Sequence, residues 1–416
     1  MMFTPNDNTV RVAVIGGGAA GMMAAGTASS FGAKVTLFEG TDRLGKKLAI
    51  TGKGRCNVTN NCTPDEFLKN ITKNPRFLFG AINAFSPSDT ISFFEGLGVE
   101  LKTERGNRVF PASDKAKDIV DALRSYTNGC NVVYSKVCAV EAIEDRFLVK
   151  CSRGEFDFDK VIIATGGKSY PLTGSDGSGY KLAHKMGHSV TPLIPSLIPL
   201  ESKSKYCSLM QGLSLKNVSI RIKHRSGKIL YTDFGEMMFT HFGVTGPMIL
   251  SASAHLRDVD FRELDLLIDL KPALDEKALD ARLLSDFSKN SNKDFINSLG
   301  DLLPSKMIAP FVEYLKIDGR KKVNSITKEE RKSIVSALKG FEIPLFGMRP
   351  IEEAIITSGG VDVKEITPKS MESKIHPGLY FAGEIIDLDA YTGGFNLQIA
   401  FATGYLAGKF AAGYEY

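Results

Sequence analysis

No stretch of this sequence approaches the roughly 18 consecutive apolar residues that a membrane-spanning helix needs, so a membrane partner is not expected. Cysteine is scarce and unpatterned. The six, at positions 56, 62, 130, 138, 151 and 207, have neither zinc-site spacing nor the density of a disulfide framework, and no metal is expected. The opening "MMFTPNDNTVRVAVIGGG" lacks the basic region of a signal peptide, and its apolar run is short and glycine-rich. These absences point to the cytoplasm and to reduced thiols. Excess charge of one sign is missing too. Lysine and arginine number 52 against 47 acids, and a net +5 over 416 residues is too mild to imply nucleic acid. The densest basic cluster, "DGRKKVNSITKEERK", alternates with acids and reads as a solvated helical face. Repeats and low-complexity segments are absent.

What remains is a globular chain. At 43% hydrophobic residues and this length it can bury a core without disulfides or a structural metal, and two or three domains are expected. "RVAVIG" and "KVTLFE" read as buried parallel strands flanking a small-residue helix from Ala19 to about Phe31. "VIIATGG" is a further strand ending on glycines. "NVSIRIKHRSGKILYTD" alternates with period two, Val218, Ile220 and Ile222 on one face, and "ELDLLIDLKP" repeats the pattern. From about 274 to 340 the period is helical, and Thr327 with Glu330 forms a capping box. The tail, "GLYFAGEIID" then "GGFNLQIAFATGYLAGKFAA", matches the opening architecture more than the middle. The expected fold class is α/β. A discontinuous Rossmann-like domain (1–188 and 350–416) would hold a β domain (189–273 and 341–349) carrying a helical subdomain (274–340).

Gly16, Gly18 and Gly21 spell G-x-G-x-x-G between a strand and a helix. The first permits a tight turn, the second lets the backbone approach a pyrophosphate, and the third lets helix and strand pack closely. The helix start offers free N–H groups and a partial positive charge to phosphate. Glu39 ends the second strand 18 residues beyond Gly21, where a carboxylate accepts hydrogen bonds from ribose and disfavours a 2′-phosphate. The basic, glycine-rich loop "GTDRLGKKLAITGKGRCNVTN" and the strand-end glycines Gly166, Gly167 and Gly383 suit extended FAD better than NAD. The final helix, opening on "TGGFNLQ", presents N–H groups at Gly394, Phe395 and Asn396. A reduced flavin carries negative charge near N1 and O2 that such a helix start stabilises.

Six blocks in order, "VAVIGGGAAGMMAA", "GKKLAITGKGRCNVTN", "VIIATGGKSYPLTGSDGSGY", "GEMMFTHFGVTGP", "ITSGGV" and "GLYFAGEIIDLDAYTGGFNLQIAFATG", resemble the aminoacetone-oxidase-like (BaiN/RdsA) family of bacterial FAD-dependent oxidoreductases. The resemblance spans nearly the whole chain and implies a β-barrel-like inserted domain. It also implies a set of cofactor contacts. Gly16, Gly18, Ala19, Ala20 and Gly21 would cover the pyrophosphate, with Glu39 and Gly40 at the adenosine ribose. Lys47 and Gly54, Arg55, Cys56 and Asn57 would reach phosphates and flavin. Val137 would meet adenine through its backbone, and Ala164, Thr165 and Gly166 would line the path. Gly383 and Glu384 would meet the ribityl chain, and Gly394, Phe395, Asn396, Leu397 and Gln398 the isoalloxazine. Many members carry tryptophan after "NLQ". Ile399 stands there instead, and the chain has no tryptophan at all.

The expected chemistry is hydride transfer between the flavin and a small organic substrate, with NAD(P)H a transient donor since no second dinucleotide fold is visible. Its direction is open. His241 and Tyr391 are candidate catalytic groups, the imidazole because it titrates near neutrality. Arg349 reads as an ion pair with Glu352 or Glu353 in preference to an anion site, and Asp387 and Asp389 as turn caps or chemical groups alike. Cys56 and Cys62 are read as ordinary thiols, since their spacing differs from that of a disulfide-reductase pair. The alternatives are a flavoprotein serving RNA, of the tRNA-modifying type, and a non-catalytic flavin-binding partner protein.

Overall fold

Apart from Arg11 the segment "RVAVI" is apolar throughout. In the computed structural model it is the central strand, Arg11–Ile15, of a five-stranded parallel sheet. A run of this kind suits a strand covered on both faces. The structure describes residues 9–414 except Asp258. Lys160–Ile163 and Lys34–Glu39 flank the central strand, so that Val14 stands opposite Ile162 on one side and Leu37 on the other. Asn131–Tyr134 and Leu379–Phe381 form the two edges. The chain divides into two compact units. The first runs as far as Ser196 and resumes at Ile351; the second is Leu197–Pro350.

In the first unit the helix Ala19–Ser30 meets the C-terminal helix Phe395–Ala411 at backbone distance. A Cβ on Gly404 would lie 2.5 Å from the Ala20 carbonyl oxygen, and one on Gly408 would lie 2.4 Å from that of Ala24. Small residues therefore clamp the last helix onto the helix that opens the nucleotide motif. Ile399 is buried in the same core. An antiparallel sheet of Val137–Ile143, Arg146–Cys151 and Gly154–Phe158 returns the chain from the edge strand Asn131–Tyr134 to Lys160–Ile163.

The second unit is built on a seven-stranded antiparallel sheet. Its hairpin, Ser214–His224 with Ile229–Thr240, follows the period-two pattern. The two edge strands, Phe341–Pro344 and Gly347–Met348, are consecutive in the chain, so the sheet curls back on itself as a barrel does. Helices Glu276–Lys289, Ser305–Leu315 and Lys328–Lys339 intervene before Phe341. Their Leu283, Phe311 and Ile334 share one apolar core with Ile220 and Leu266 of the sheet. Thr327 and Glu330 make the reciprocal cap. Ser305–Leu315 contains Pro310, a residue that argues against a helix locally; burial of its apolar face overrides that preference.

A buried imidazole gives the first unit a pH-sensitive joint. His188 is fully buried, with Nδ1 3.2 Å from Glu365 Oε2 and Nε2 2.9 Å from Ser373 Oγ. The Ser373 oxygen already accepts from the N–H groups of Ile375 and His376, so its proton is left to donate to a neutral Nε2. Burial lowers the His188 pKa, and Glu365 offsets this only in part. The unfolded chain therefore takes up a proton near its ordinary pKa of about 6.5 that the folded chain refuses, and stability falls as pH drops through that range. The stability advantage of the wild type over His188→Asn is expected to shrink between pH 7 and pH 5 in urea unfolding. A constant difference across that range would refute this assignment.

Candidate active site

The end of the central strand turns sharply at Gly16, whose φ is +107°; a Cβ there would stand 2.5 Å from the Ala164 carbonyl oxygen. A Cβ on Gly21 would come within 1.7 Å of the Gly16 carbonyl oxygen, whereas one on Gly18 would meet nothing within 4 Å. Gly21 thus closes helix against strand, and Gly18 faces open space. The first helical bond runs from Met22 N–H to Gly18 O, 2.9 Å, so the N–H groups of Ala19, Ala20 and Gly21 precede it and are available to an anion.

Glu39 is buried, and its carboxylate accepts from Gly17 N–H at 2.9 Å and Thr41 N–H at 2.7 Å. Each oxygen keeps a second lone pair for a hydroxyl. A Cβ on Gly40 would lie 3.5 Å from Lys136 Cβ, which brings the Glu39–Gly40 corner beside Val137. Beyond Ala164 the chain brings Ser175 to the strand end, its Oγ 3.1 Å from where a Cβ on Gly166 would stand. Thr165 Oγ1 and Ser175 Oγ are buried and have no hydrogen-bond partner among the described residues, as is also true of Asn57 Oδ1. Ser175 belongs to "GSDGSG", a segment whose spacing gave no reason to link it to the strand end at Gly166. Buried polar atoms of this kind need partners, and a dinucleotide's hydroxyls, phosphates and amide groups can supply them. The residues fit FAD.

Several side chains assigned to the cofactor from the sequence are taken up by protein partners. Lys47 Nζ lies 2.7 Å from Glu384 Oε2 and 2.7 Å from Ser169 Oγ, and Glu384 Oε1 accepts from Thr357 N–H at 2.8 Å. Lys47 and Glu384, read separately as phosphate and ribityl contacts, are one ion pair. Arg55 is paired with Glu104 and Asp114 and lies over the Phe110 ring at 4.2 Å. Cys56 is fully buried with its thiol pushed up to about 12, and burial raises Cys62 to about 11. Neither is a thiolate near neutrality, and both cysteines are free.

At the C-terminal helix, Gly394 has φ +96° and a Cβ there would be 2.3 Å from the Thr59 carbonyl oxygen. The first helical bond is Gln398 N–H to Gly394 O, 3.1 Å, which leaves the N–H groups of Phe395, Asn396 and Leu397 ahead of it. The neighbouring amide side chains are structural. Asn396 Nδ2 donates to Ala390 O (2.9 Å) and Tyr391 O (3.2 Å), holding the preceding loop. Gln398 Oε1 accepts from the Thr59 and Thr90 hydroxyls, both at 2.7 Å, while Nε2 donates to Phe85 O at 2.9 Å. Tyr391 N–H donates to Asn70 O. Asp387 is an ion-pair partner of Lys73 at 2.7 Å, and Asp389 is fully buried.

In the second unit His241 sits exposed on the turn between Ile229–Thr240 and Gly243–Thr245, its ring edge-on to Phe242. Arg349 pairs with Glu201 at 2.9 Å and lies over Phe242 at 4.7 Å. Among the described residues no group of three His, Cys, Asp or Glu side chains could hold a metal ion, and no helix is long and apolar enough to cross a membrane.

A family model described as HI0933-like protein Rossmann domain matches residues 10–410. A 3-dehydro-bile acid delta(4,6)-reductase of Clostridium scindens is 30% identical over 409 residues, 97% of this chain and 99% of that one. A ribosomal RNA dihydrouridine synthase of Haemophilus influenzae is 30% identical over 403 residues, 94% of this chain and 96% of that one. In fold, the chain is similar to 3-ketosteroid delta1-dehydrogenase from Sterolibacterium denitrificans, with a TM-score of 0.53 at 14% identity, covering 97% and 99% of the two chains. With its glycine cradle, its buried carboxylate at the end of the second strand and a match of this extent, the chain belongs to the HI0933-like Rossmann family, a family of FAD-dependent oxidoreductases.

Proposed function

We propose that this chain is a reductase acting on a carbon–carbon double bond conjugated to a carbonyl in a small organic molecule. FAD, when bound, supplies the hydride, and transiently bound NAD(P)H is the source of electrons. The observation that carries this reading is the pairing, within the first unit, of a dinucleotide cradle at Gly16–Gly21 with a second helix start at Phe395–Leu397. The amides of Ala19, Ala20 and Gly21 would bind the pyrophosphate, and Glu39 would hold the adenosine ribose with Val137 beside it. Thr165, Ser175 and Asn57 would take the remaining polar groups. The free amides of Phe395, Asn396 and Leu397 would stabilise negative charge on the reduced ring, which favours holding electrons until an acceptor arrives. Lys47 would act through Glu384, fixing the carboxylate and the Thr357 backbone. Tyr391, in the same unit as the cradle, is our candidate for returning a proton to the reduced substrate carbon.

Both relatives carry names that describe reduction of a carbon–carbon double bond, one in a bile acid and one in RNA uridine. The mild net charge favours the small molecule for this chain. Uridine in ribosomal RNA is the second reading, favoured by the Haemophilus relative. In an anaerobic titration, NADH or NADPH is expected to bleach the oxidised-flavin absorbance, and a conjugated 3-oxo steroid to restore it. Restoration by ribosomal RNA and not by the steroid would establish the second reading. Bleaching by an amine but by neither nicotinamide would make the protein an oxidase and overturn both.

A further inference from the structure

The turn that precedes the flavin-side helix is tied to a hairpin with unbalanced charge. Leu101–Glu104 and Arg108–Pro111 pair antiparallel around a turn at Arg105, Gly106 and Asn107, and Arg108–Val109 also pairs with Thr59–Asn60. Thr59 is the residue whose carbonyl abuts Gly394. Asn60 Nδ2 donates both to Gly106 O at 3.0 Å and to Gly393 O at 3.1 Å, so one buried amide joins the hairpin tip to the glycine turn. Asn61 N–H adds a bond of 2.7 Å to Asn107 O.

On its two strands and tip stand Lys102, Arg105, Arg108 and Glu104, with Arg55 and Asp114 bonded to them. Glu104 and Asp114 are held below the ordinary carboxylate range, Glu104 by Arg55, and Asp114 by Lys102 and Arg55. Lys102 lies 2.7 Å from Asp114, and Arg55 bonds to both acids. Those two cations are therefore matched. Arg105 and Arg108 are exposed and make no ion pair among the described residues; Arg108 Nε donates to Arg105 O at 3.0 Å. Two guanidinium groups thus stand unneutralised on a tip anchored beside the helix start. Guanidinium is suited to bidentate binding of carboxylate or phosphate oxygens.

We infer that Arg105 and Arg108 form the specificity site for an anionic oxygen group on the substrate, so that the reductase selects acids over their neutral counterparts. The inference rests on the functional reading above, because the helix start at Phe395 defines where substrate meets flavin. On the Coulombic argument the tip also raises the local concentration of anionic substrate, an effect that salt weakens.

The test uses the FAD-loaded full chain, wild type and Arg105→Ala/Arg108→Ala, with matched FAD content. A conjugated 3-oxo steroid carboxylate, its methyl ester and a uridine-containing RNA oligonucleotide are each titrated against the flavin absorbance and offered as electron acceptors. The expected result is binding of the free acid at least ten-fold tighter than the ester in the wild type, and loss of that preference in the double variant. Arg105→Lys/Arg108→Lys is expected to recover part of it. Equal binding of acid and ester, or a preference that survives the double alanine variant, overturns the inference, even if the steroid is reduced. Arginine-dependent binding of the oligonucleotide alone upholds the anion site and assigns it to phosphate, while the small-molecule reading fails. Arginine-dependent binding of the acid without its reduction upholds the site and refutes the reductase. No spectral response to any of the three ligands overturns the site.

Discussion

Gly21→Ala is expected to lose both FAD and stability, whereas Gly18→Ala is expected to lose FAD alone. The added methyl at position 21 would lie 1.7 Å from the Gly16 carbonyl oxygen, inside any allowed contact, so the helix Ala19–Ser30 must move off its strand. Overpacking of that kind costs about 1–3 kcal/mol or more. Displacing the helix also scatters the amides that would grip pyrophosphate, and FAD retention should fall by more than about ten-fold, the equivalent of roughly 1.4 kcal/mol. At position 18 the backbone is unstrained and the methyl meets no protein atom, so the apoprotein should unfold within about 0.5 kcal/mol of wild type. Only a ligand entering that space would feel the change. Flavin-to-protein ratio after purification, together with urea unfolding of both apoproteins, reads the two effects separately. Full flavin content in Gly18→Ala would mean that the phosphates do not pass there.

The second large effect concerns Gln398. Its amide is completely buried and ties the last helix to Thr59, Thr90 and the Phe85 carbonyl, segments that lie more than 300 residues earlier. Gln398→Leu fills the volume but strands two hydroxyls and a carbonyl. Each abandoned group costs about 1–3 kcal/mol, and the partners act as one network, so a loss of about 3 kcal/mol or more is expected. The flavin absorbance of the folded fraction should stay close to wild type, because both ends of the amide are engaged by protein groups. Unchanged stability with an altered flavin spectrum would show that the amide faces the cofactor instead.

These two cases separate what neighbouring residues specify from what distant ones do. The Rossmann opening was legible because its demands are local. A strand buried on both faces needs an unbroken apolar run, and a turn at positive φ with a backbone packed against it needs glycine at 16 and 21. The hairpin of the second unit and the Thr327–Glu330 cap follow from periodicity and from a spacing of three residues. The helix Ser305–Leu315 lies within the stretch read as helical, although Pro310 speaks against it locally and burial settles the matter.

The partner of a long polar side chain is a less local matter than the conformation of a backbone glycine. Glycine and alanine positions around the cradle have one possible use, whereas Lys47, Arg55, Asn396 and Gln398 can bond to any group the fold brings near. Lys47 finds Glu384 337 positions away, and Gln398 finds Thr59 339 positions away. Nor could any spacing show that Thr165 and Ser175 would be buried without partners, or that Arg105 and Arg108 would be the cations left over once Arg55 and Lys102 had been matched. By itself the sequence determined the nucleotide class, the order of the elements and the family, because those depend on period, glycine placement and short motifs. Which polar groups are free to meet a ligand was decided only by the tertiary structure, since a hydrogen bond is claimed by whichever partner lies within about 3 Å, however far away it is along the chain.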